Sequence, residues 1–234
     1  MKTTLKLLPA ILAALAALAA CDIHHLWDKD YMFEIETPHD GLFVHDCSSY
    51  TDWHFFSFDA AGIIGRIDAA DSAACEAWRL RTDWDLAFHR QNVKTNSGAS
   101  GAGQGGIMKY PQQTFSFDAV TEAPEEGYLT DAPDSVIYDM SRMAAGEIGY
   151  VAAGLAQPVK DWAVLTDMMN GVWTYAQSVF IVRTATGKYA RIWLKNFKSD
   201  IGASGTVTMQ YVYQSDGTLN LHISPDAPSK SPAL

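Results

Sequence analysis

Apolar and polar positions alternate along most of this chain with a period of two. In Trp84-Asp85-Leu86-Ala87-Phe88-His89, the residues Trp84, Leu86 and Phe88 fall on one face, and Asp85, Ala87 and His89 on the other. That is the pattern of a half-buried β-strand. The chain then becomes glycine-rich from Gly98 to Gly106, which predicts a loop. Upstream, Trp53, Phe55, Phe56 and Phe58 predict a strongly apolar strand, with Gly62 and Gly65 marking a turn or bulge. Downstream, two alternating runs between Val179 and Phe197 flank Thr186-Gly187, a hairpin signal. Val207, Met209, Tyr211 and Tyr213 share one face of a last long strand, and Asp216-Gly217 turns the chain into TLNLHI. Only the alanine-rich stretch from Asp68 to Trp78 predicts a helix, and it is short. Successive strands, tight turns and few helices imply an all-β, largely antiparallel fold.

The stretches between these strands narrow the function. Thr121 to Asp134 is acidic, carries Pro124 and Pro133, and reads as a surface connection. Beyond it lie two methionine-bearing segments. The first holds Tyr138, Met140, Met143 and Tyr150; the second holds Trp162, Met168, Met169, Trp173 and Tyr175. AAGLAQPVKD between them is small and loop-like. Gly101, Gly103 and Gly106 spell GxGxxG, but a dinucleotide site needs a helix directly after the glycines. The next residues are IMKYPQQTFSF, with a proline and β-type side chains, so nucleotide binding is rejected. GASG, at Gly98 and again at Gly202, is not the GxSxG elbow of hydrolases and reads as a tight connection. FSFDA occurs at Phe56 and Phe115, and two short copies set no repeat period. No nucleophile paired with a base can be placed, so the chain does not read as an enzyme.

The N-terminus changes the cellular picture. Residues 1–20 carry Lys2 and Lys6 and then an apolar Leu/Ala run, which reads as a signal peptide rather than a membrane span. The run ends Leu18-Ala19-Ala20-Cys21, similar to a bacterial lipobox, in which Cys21 becomes the lipidated N-terminus. Residues 21–46 then form a tether leading into a first strand, 47–223 the folded domain, and the Pro- and Ser-rich residues 224–234 a disordered tail. The formal net charge of −10 argues against nucleic acid or anionic lipid as a partner, leaving the lipid anchor as the membrane link. Outside the cytoplasm Cys47 and Cys75 either bridge or remain two buried thiols. His24, His25, His39 and His45 lack any zinc-binding spacing and read as surface histidines.

Three blocks, in order, resemble the HmuY-like haem-binding lipoproteins of the Bacteroidetes. They are WDLAFHR with VKTNSGASGAGQGG, VFIVRTATGKYARIWLKNF, and GTVTMQYVYQSDG, and an aromatic strand precedes them. The resemblance implies an all-β haem carrier that takes haem from host haemoproteins and serves an outer-membrane TonB-dependent receptor. It implies a lipid-anchored protein at the outer membrane, facing outward. In that family the iron is clamped by two side chains. The first lies shortly after a Tyr-acid-Met triplet, here Tyr138-Asp139-Met140, and the second after a Trp, here Trp162. No histidine lies between His89 and His222, so the paired-histidine form is impossible and the methionine-ligand form is implied. Met143 and Met169 are expected as ligands, then Met168, then Met140, with Tyr138 and Trp173 against the porphyrin. Thioethers suit haem iron. Read without the family, all four methionines are ordinary core filler. His89 is expected to be structural. The competing reading is a glycan-binding surface lipoprotein that uses Trp and Tyr as stacking platforms.

Overall fold

The computed structural model describes residues 39–110 and 116–223. The expected signal peptide, the lipidation site Cys21 and the tail from 224 lie outside the described residues. Among the described residues, thirteen strands and one α-helix alternate with short 3-10 turns, and every strand pair is antiparallel. The fold is all-β, as the alternation predicts, and it is not a closed barrel.

A five-stranded sheet has the order β1 (His39–Asp46), β13 (Ser204–Gln214), β12 (Tyr189–Lys198), β11 (Val179–Arg183), β6 (Gly106–Lys109). A four-stranded sheet has the order β3 (Gly62–Asp68), β2 (Asp52–Ser57), β4 (Leu86–His89), β5 (Asn92–Thr95). Two separate hairpins complete the set: β7 (Ala132–Asp139) with β8 (Gly149–Leu155), and β9 (Ala163–Asp167) with β10 (Val172–Tyr175). The expected hairpin at Thr186-Gly187 joins β11 to β12, with Gly187 at a φ of 83°.

The main core fills the space between the two large sheets. Phe56, Phe58, Leu86, Phe88 and Val93 meet Phe180, Ile192, Val207, Met209, Tyr211 and Tyr213 there. The shared face of Val207, Met209, Tyr211 and Tyr213 is therefore the inner face of β13. A second cluster covers the back of the four-stranded sheet. Trp53, Phe55, Trp84 and Ala87 pack there against Val136 and Leu155 of the β7–β8 hairpin and Trp78 of the helix α1 (Ser72–Arg79). A third covers the back of the five-stranded sheet, with Ile181 and Val212 against Phe117, Val120 and Leu221.

Two expectations for the central segment are corrected by this double cover. β4 is not half-buried, because every one of its residues is buried and it runs between β2 and β5 with packing on both faces. Nor does Trp84 share a face with Leu86 and Phe88. It precedes β4, so the period of two does not reach it, and its indole joins the second cluster while Leu86 and Phe88 join the first. The bulge expected near Gly65 is present, as a register shift opposite Phe55 and Phe56. Gly65 is needed there because a Cβ would stand 2.2 Å from the ring of Trp78, which stacks on Phe55 at 4.1 Å.

The connections differ more. AAGL of the supposed loop is the end of β8, paired in register with β7. Thr121 to Asp134 is only partly a surface connection: Ala123 and Asp131 are buried, and β7 begins at Ala132. TLNLHI forms no strand; it makes an isolated bridge, Glu122 with Asn220, because its neighbour is that same irregular connection. Cys47 and Cys75 are free. Cys47 is buried in the main core, and Cys75 Sγ faces the carbonyls of Asp68 and Ala69 from α1.

Polar groups inside this double-sided packing must find partners. Asp85 accepts from Phe58 N at 2.9 Å and from Ala185 N at 3.1 Å, tying the end of β2 to the β11–β12 turn. Asn96 donates to the carbonyls of Arg81 and Trp84 and accepts from Gly103 N, so the glycine loop folds around it. Gly101 allows that approach, since a Cβ there would reach Asn96 Oδ1 at 2.0 Å. β6, a strand, comes after the loop where a nucleotide fingerprint needs a helix. Asp131 accepts from Thr95 N at 2.9 Å and Thr95 Oγ1 at 2.7 Å. Lys94 lies nearby, its Nζ 4.0 Å over the Trp53 ring, and burial pushes its pKa down to about 8.

Asp85→Ala leaves two buried N–H groups without an acceptor. It should cost about 2–5 kcal/mol of stability, read as a lower urea midpoint. Burial raises the pKa of Asp85 and Asp131 from the ordinary value of 3.8 to about 6 each. A carboxyl raised in the fold contributes stability fully below its unfolded pKa and loses it as pH rises through the folded one. Wild type should therefore lose on the order of 2–3 kcal/mol relative to Asp131→Asn between pH 4 and pH 7. Depressed histidines such as His54 act in the opposite sense but are common to both proteins, so paired urea titrations isolate the carboxyl.

Candidate functional site

The largest apolar exposure on the described surface gathers at the two hairpins. Met143, Ile148, Tyr150, Val164, Leu165, Met168, Met169 and Val172 are all exposed there. Clustered apolar exposure of this kind marks a binding surface rather than chance. Between the hairpins and the ends of the two large sheets lies a cleft of about 680 Å³, within the usual range for a small-molecule site.

Four parts of the chain build it. The β7–β8 hairpin supplies Ile137, Met140, Met143 and Ile148. Its loop holds a 3-10 turn, Met143–Ala145, closed by Gly146 at a φ of 79° and by an Arg142–Glu147 ion pair at 2.8 Å. The β9–β10 hairpin supplies Val164, Leu165, Met168, Asn170, Gly171 and Trp173. Its tip is a tight turn capped by Asp167, which accepts from Met169 N at 3.0 Å and Asn170 N at 3.1 Å. Hydrogen bonding to Ser141 and to Asn170 holds the Asp139 and Asp167 carboxyls below the usual range, so both stay charged. The β4–β5 turn supplies Arg90 and Gln91, and Trp162 anchors the second hairpin to that turn by donating to Gln91 O at 2.7 Å. Lys198, Gly202 and Ser204, at the β12–β13 hairpin, close the fourth side with Tyr50.

The cleft has apolar walls and more cations than anions in its lining, with Asp161 the one carboxylate there, although the chain is acidic overall. Arg90, Lys160 and Lys198 all line it. Arg90 donates to Ser48 O at 2.8 Å and stands 4.3 Å over the Tyr50 ring, and its own φ is 55°. Lys160 pairs with Asp134 at 2.7 Å. These groups suit a flat apolar ligand that carries carboxylates.

The expected site residues divide. Met140, Met143, Met168 and Trp173 line the cleft. Met169 does not, and it is 97% exposed against 77% for Met168 and 48% for Met143. The two methionines are adjacent on a tight tip, so they point in different directions. Tyr138 lies outside the lining; its hydroxyl donates to Asp68 at 3.1 Å, and its ring packs on the second cluster. Trp162 and Tyr175 sit beneath the second hairpin rather than in the cleft, stacked at 6.1 Å. His89 is buried outside the lining, its Nε2 2.8 Å from Tyr50 O and its ring 5.1 Å from that of Trp53. Of the aromatic side chains named for stacking, Trp173 is half-buried in the cleft and Tyr150 is exposed.

Sequence reasoning missed Tyr50, the cations and the aliphatic lining. Ile148, Val164 and Leu165 carried a signal, as branched residues beside the methionines. Arg90, Lys160 and Lys198 gave none, because they come from three distant connections.

The family model described as HmuY protein matches residues 49–211. Among solved structures, the chain is similar to a presumed HmuY-like haem-binding protein from Bacteroides vulgatus. Identity is 26% and the TM-score 0.60, over 75% of this chain and 92% of that one. It is also similar to the apo HmuY analogue of Tannerella forsythia, at 21% identity and a TM-score of 0.57, over 77% and 98% of the two chains. Apo PinO from Porphyromonas gingivitis matches at 20% identity and a TM-score of 0.60, over 76% and 99%. No curated protein matches the chain.

Proposed function

This chain belongs to the HmuY family, and from that premise we propose that it is a haem carrier that holds haem in the cleft between its two methionine-bearing hairpins. The observation that carries the reading is the lining itself. Met140, Met143 and Met168 stand in one cleft with Trp173 and four branched aliphatic side chains, and three cations against one carboxylate, Asp161, share the lining. Methionine is usually core filler, yet Met143 and Met168 are exposed. Haem needs apolar walls for the porphyrin, cations for its propionates and axial donors for its iron.

Met143 and Met168 are the proposed axial ligands, one from each hairpin. Met169, beside Met168 on the same tip, is the alternate, and Met140 is the next. Thioethers are neutral and soft and carry no proton to displace near neutral pH. Arg90, Lys160 and Lys198 are proposed to receive the propionates. No catalytic step is assigned to the chain. The reading extends to its setting: a protein lipidated at Cys21, held at the outer membrane and facing outward. It takes haem from host haemoproteins and passes it to a TonB-dependent receptor.

Haem titration of purified variants tests the ligands. Met143→Ala and Met168→Ala should each weaken binding and shift the visible spectrum of the complex, while Met108→Leu, outside the cleft, leaves both unchanged. Unaltered spectra in both ligand variants would sink the assignment. A change on Met169→Ala with none on Met168→Ala would move the second ligand by one residue and keep the site.

A further inference from the structure

β1 is an edge strand of the five-stranded sheet, and His45 and Cys47 bracket its end. Residues two apart on a strand share a face, and here that face looks inward. His45 stacks on Phe43 at 5.6 Å, and Cys47 is wholly buried in the main core. From the facing sheet, β2 sends His54 inward on the same side as Phe56. His54 is buried, and its Nδ1 lies 3.0 Å from His45 Nε2. One nitrogen from each imidazole and Cys47 Sγ all lie within 4.8 Å of one another. The cluster is thus built by three positions on two strands of different sheets.

We propose that His45, Cys47 and His54 form a binding site for a borderline-to-soft transition-metal ion of the zinc class, which would staple the two sheets together. Two imidazoles and one thiolate are a donor set that selects such ions over magnesium or calcium. In a tetrahedral zinc site neighbouring donors stand roughly 3.3–3.6 Å apart, so the two imidazoles need to part by a few tenths of an ångström and Cys47 Sγ to close by no more than about 1 Å. His45 is half-buried, which gives the ion a route in and leaves the fourth position to water.

Other details favour an ion here. Of the two facing ring nitrogens, only one carries the proton between them, and an ion would replace it. Burial lowers the pKa of His45, and that of His54 to about 4, so both rings are neutral ligands at neutral pH. Against the ion, burial raises the Cys47 thiol, so binding has to displace its proton. Asp46 faces the pair favourably, while Arg66, paired with Asp52 at 3.5 Å, faces it unfavourably. None of the three side chains lines the cleft, although Arg90, which does, bonds Ser48 O beside Cys47.

Cobalt(II) titration of the purified, reduced chain tests this, with circular dichroism to confirm the fold. One ion should bind with a thiolate-to-cobalt charge-transfer band, and zinc should displace it. Cys47→Ser should abolish the band, and His45→Gln should weaken binding at least about tenfold. Zinc, but not magnesium, should also raise the Tm of wild type in a concentration-dependent way, a readout that needs no variant. Absence of binding, a complex without the thiolate band, or a band that survives Cys47→Ser overturns the proposal.

Discussion

The structure depends on keeping β2, β4 and β5 of its four-stranded sheet dry on both faces. β4 sits at the centre of that sheet, and no residue on it reaches solvent. A strand so enclosed cannot tolerate an unpaired polar group nearby, and Asp85 at its entrance is the critical case. Its two oxygens serve the end of β2 and the β11–β12 turn, so a single carboxylate joins both large sheets. Asn96 then gathers the glycine loop on the same side. With its entrance fixed, β4 delivers its exit, the turn at Arg90 and Gln91, into the cleft. The same turn receives Trp162 and so fixes the base of the second hairpin.

The exposed apolar side chains are left largely to the parts outside this frame. The two hairpins are two-stranded and each buries little of its outer face. Their tips are held by local devices: the Arg142–Glu147 pair on one and the Asp167 cap on the other. A cleft between a fixed floor and two such hairpins can expose its thioethers without weakening the core. The division also explains where charge sits. The acidic chain keeps Arg90, Lys160 and Lys198 at the cleft, where carboxylates of a ligand would meet them.

Much of this was legible in the chain. The period of two at Val207 to Tyr213 and the hairpin at Thr186-Gly187 appear where the alternation placed them. The double burial of β4 was not legible, because Asp85 and His89 are polar and imply a wet face. Their hydrogen bonds come from residues far off in sequence, Ala185 and Tyr50. AAGL was misread for a related reason: small residues pair well as the end of β8 but have no β-propensity of their own. Of the site, the methionines were legible only through the family blocks. Met168 and Met169 are equivalent in sequence, and only the tight turn at Asp167 separates them. His45 read as a surface histidine because its partner, His54, lies on another sheet.

The central claim is that haem seats between the two hairpins with a thioether from each on its iron. A crystal structure of the haem complex tests it most directly. The account predicts iron bound by sulfur from Met143 and from the Met168–Met169 tip, with propionates toward Arg90, Lys160 or Lys198. Haem seated elsewhere, or iron bound by His89 or another histidine, would contradict it.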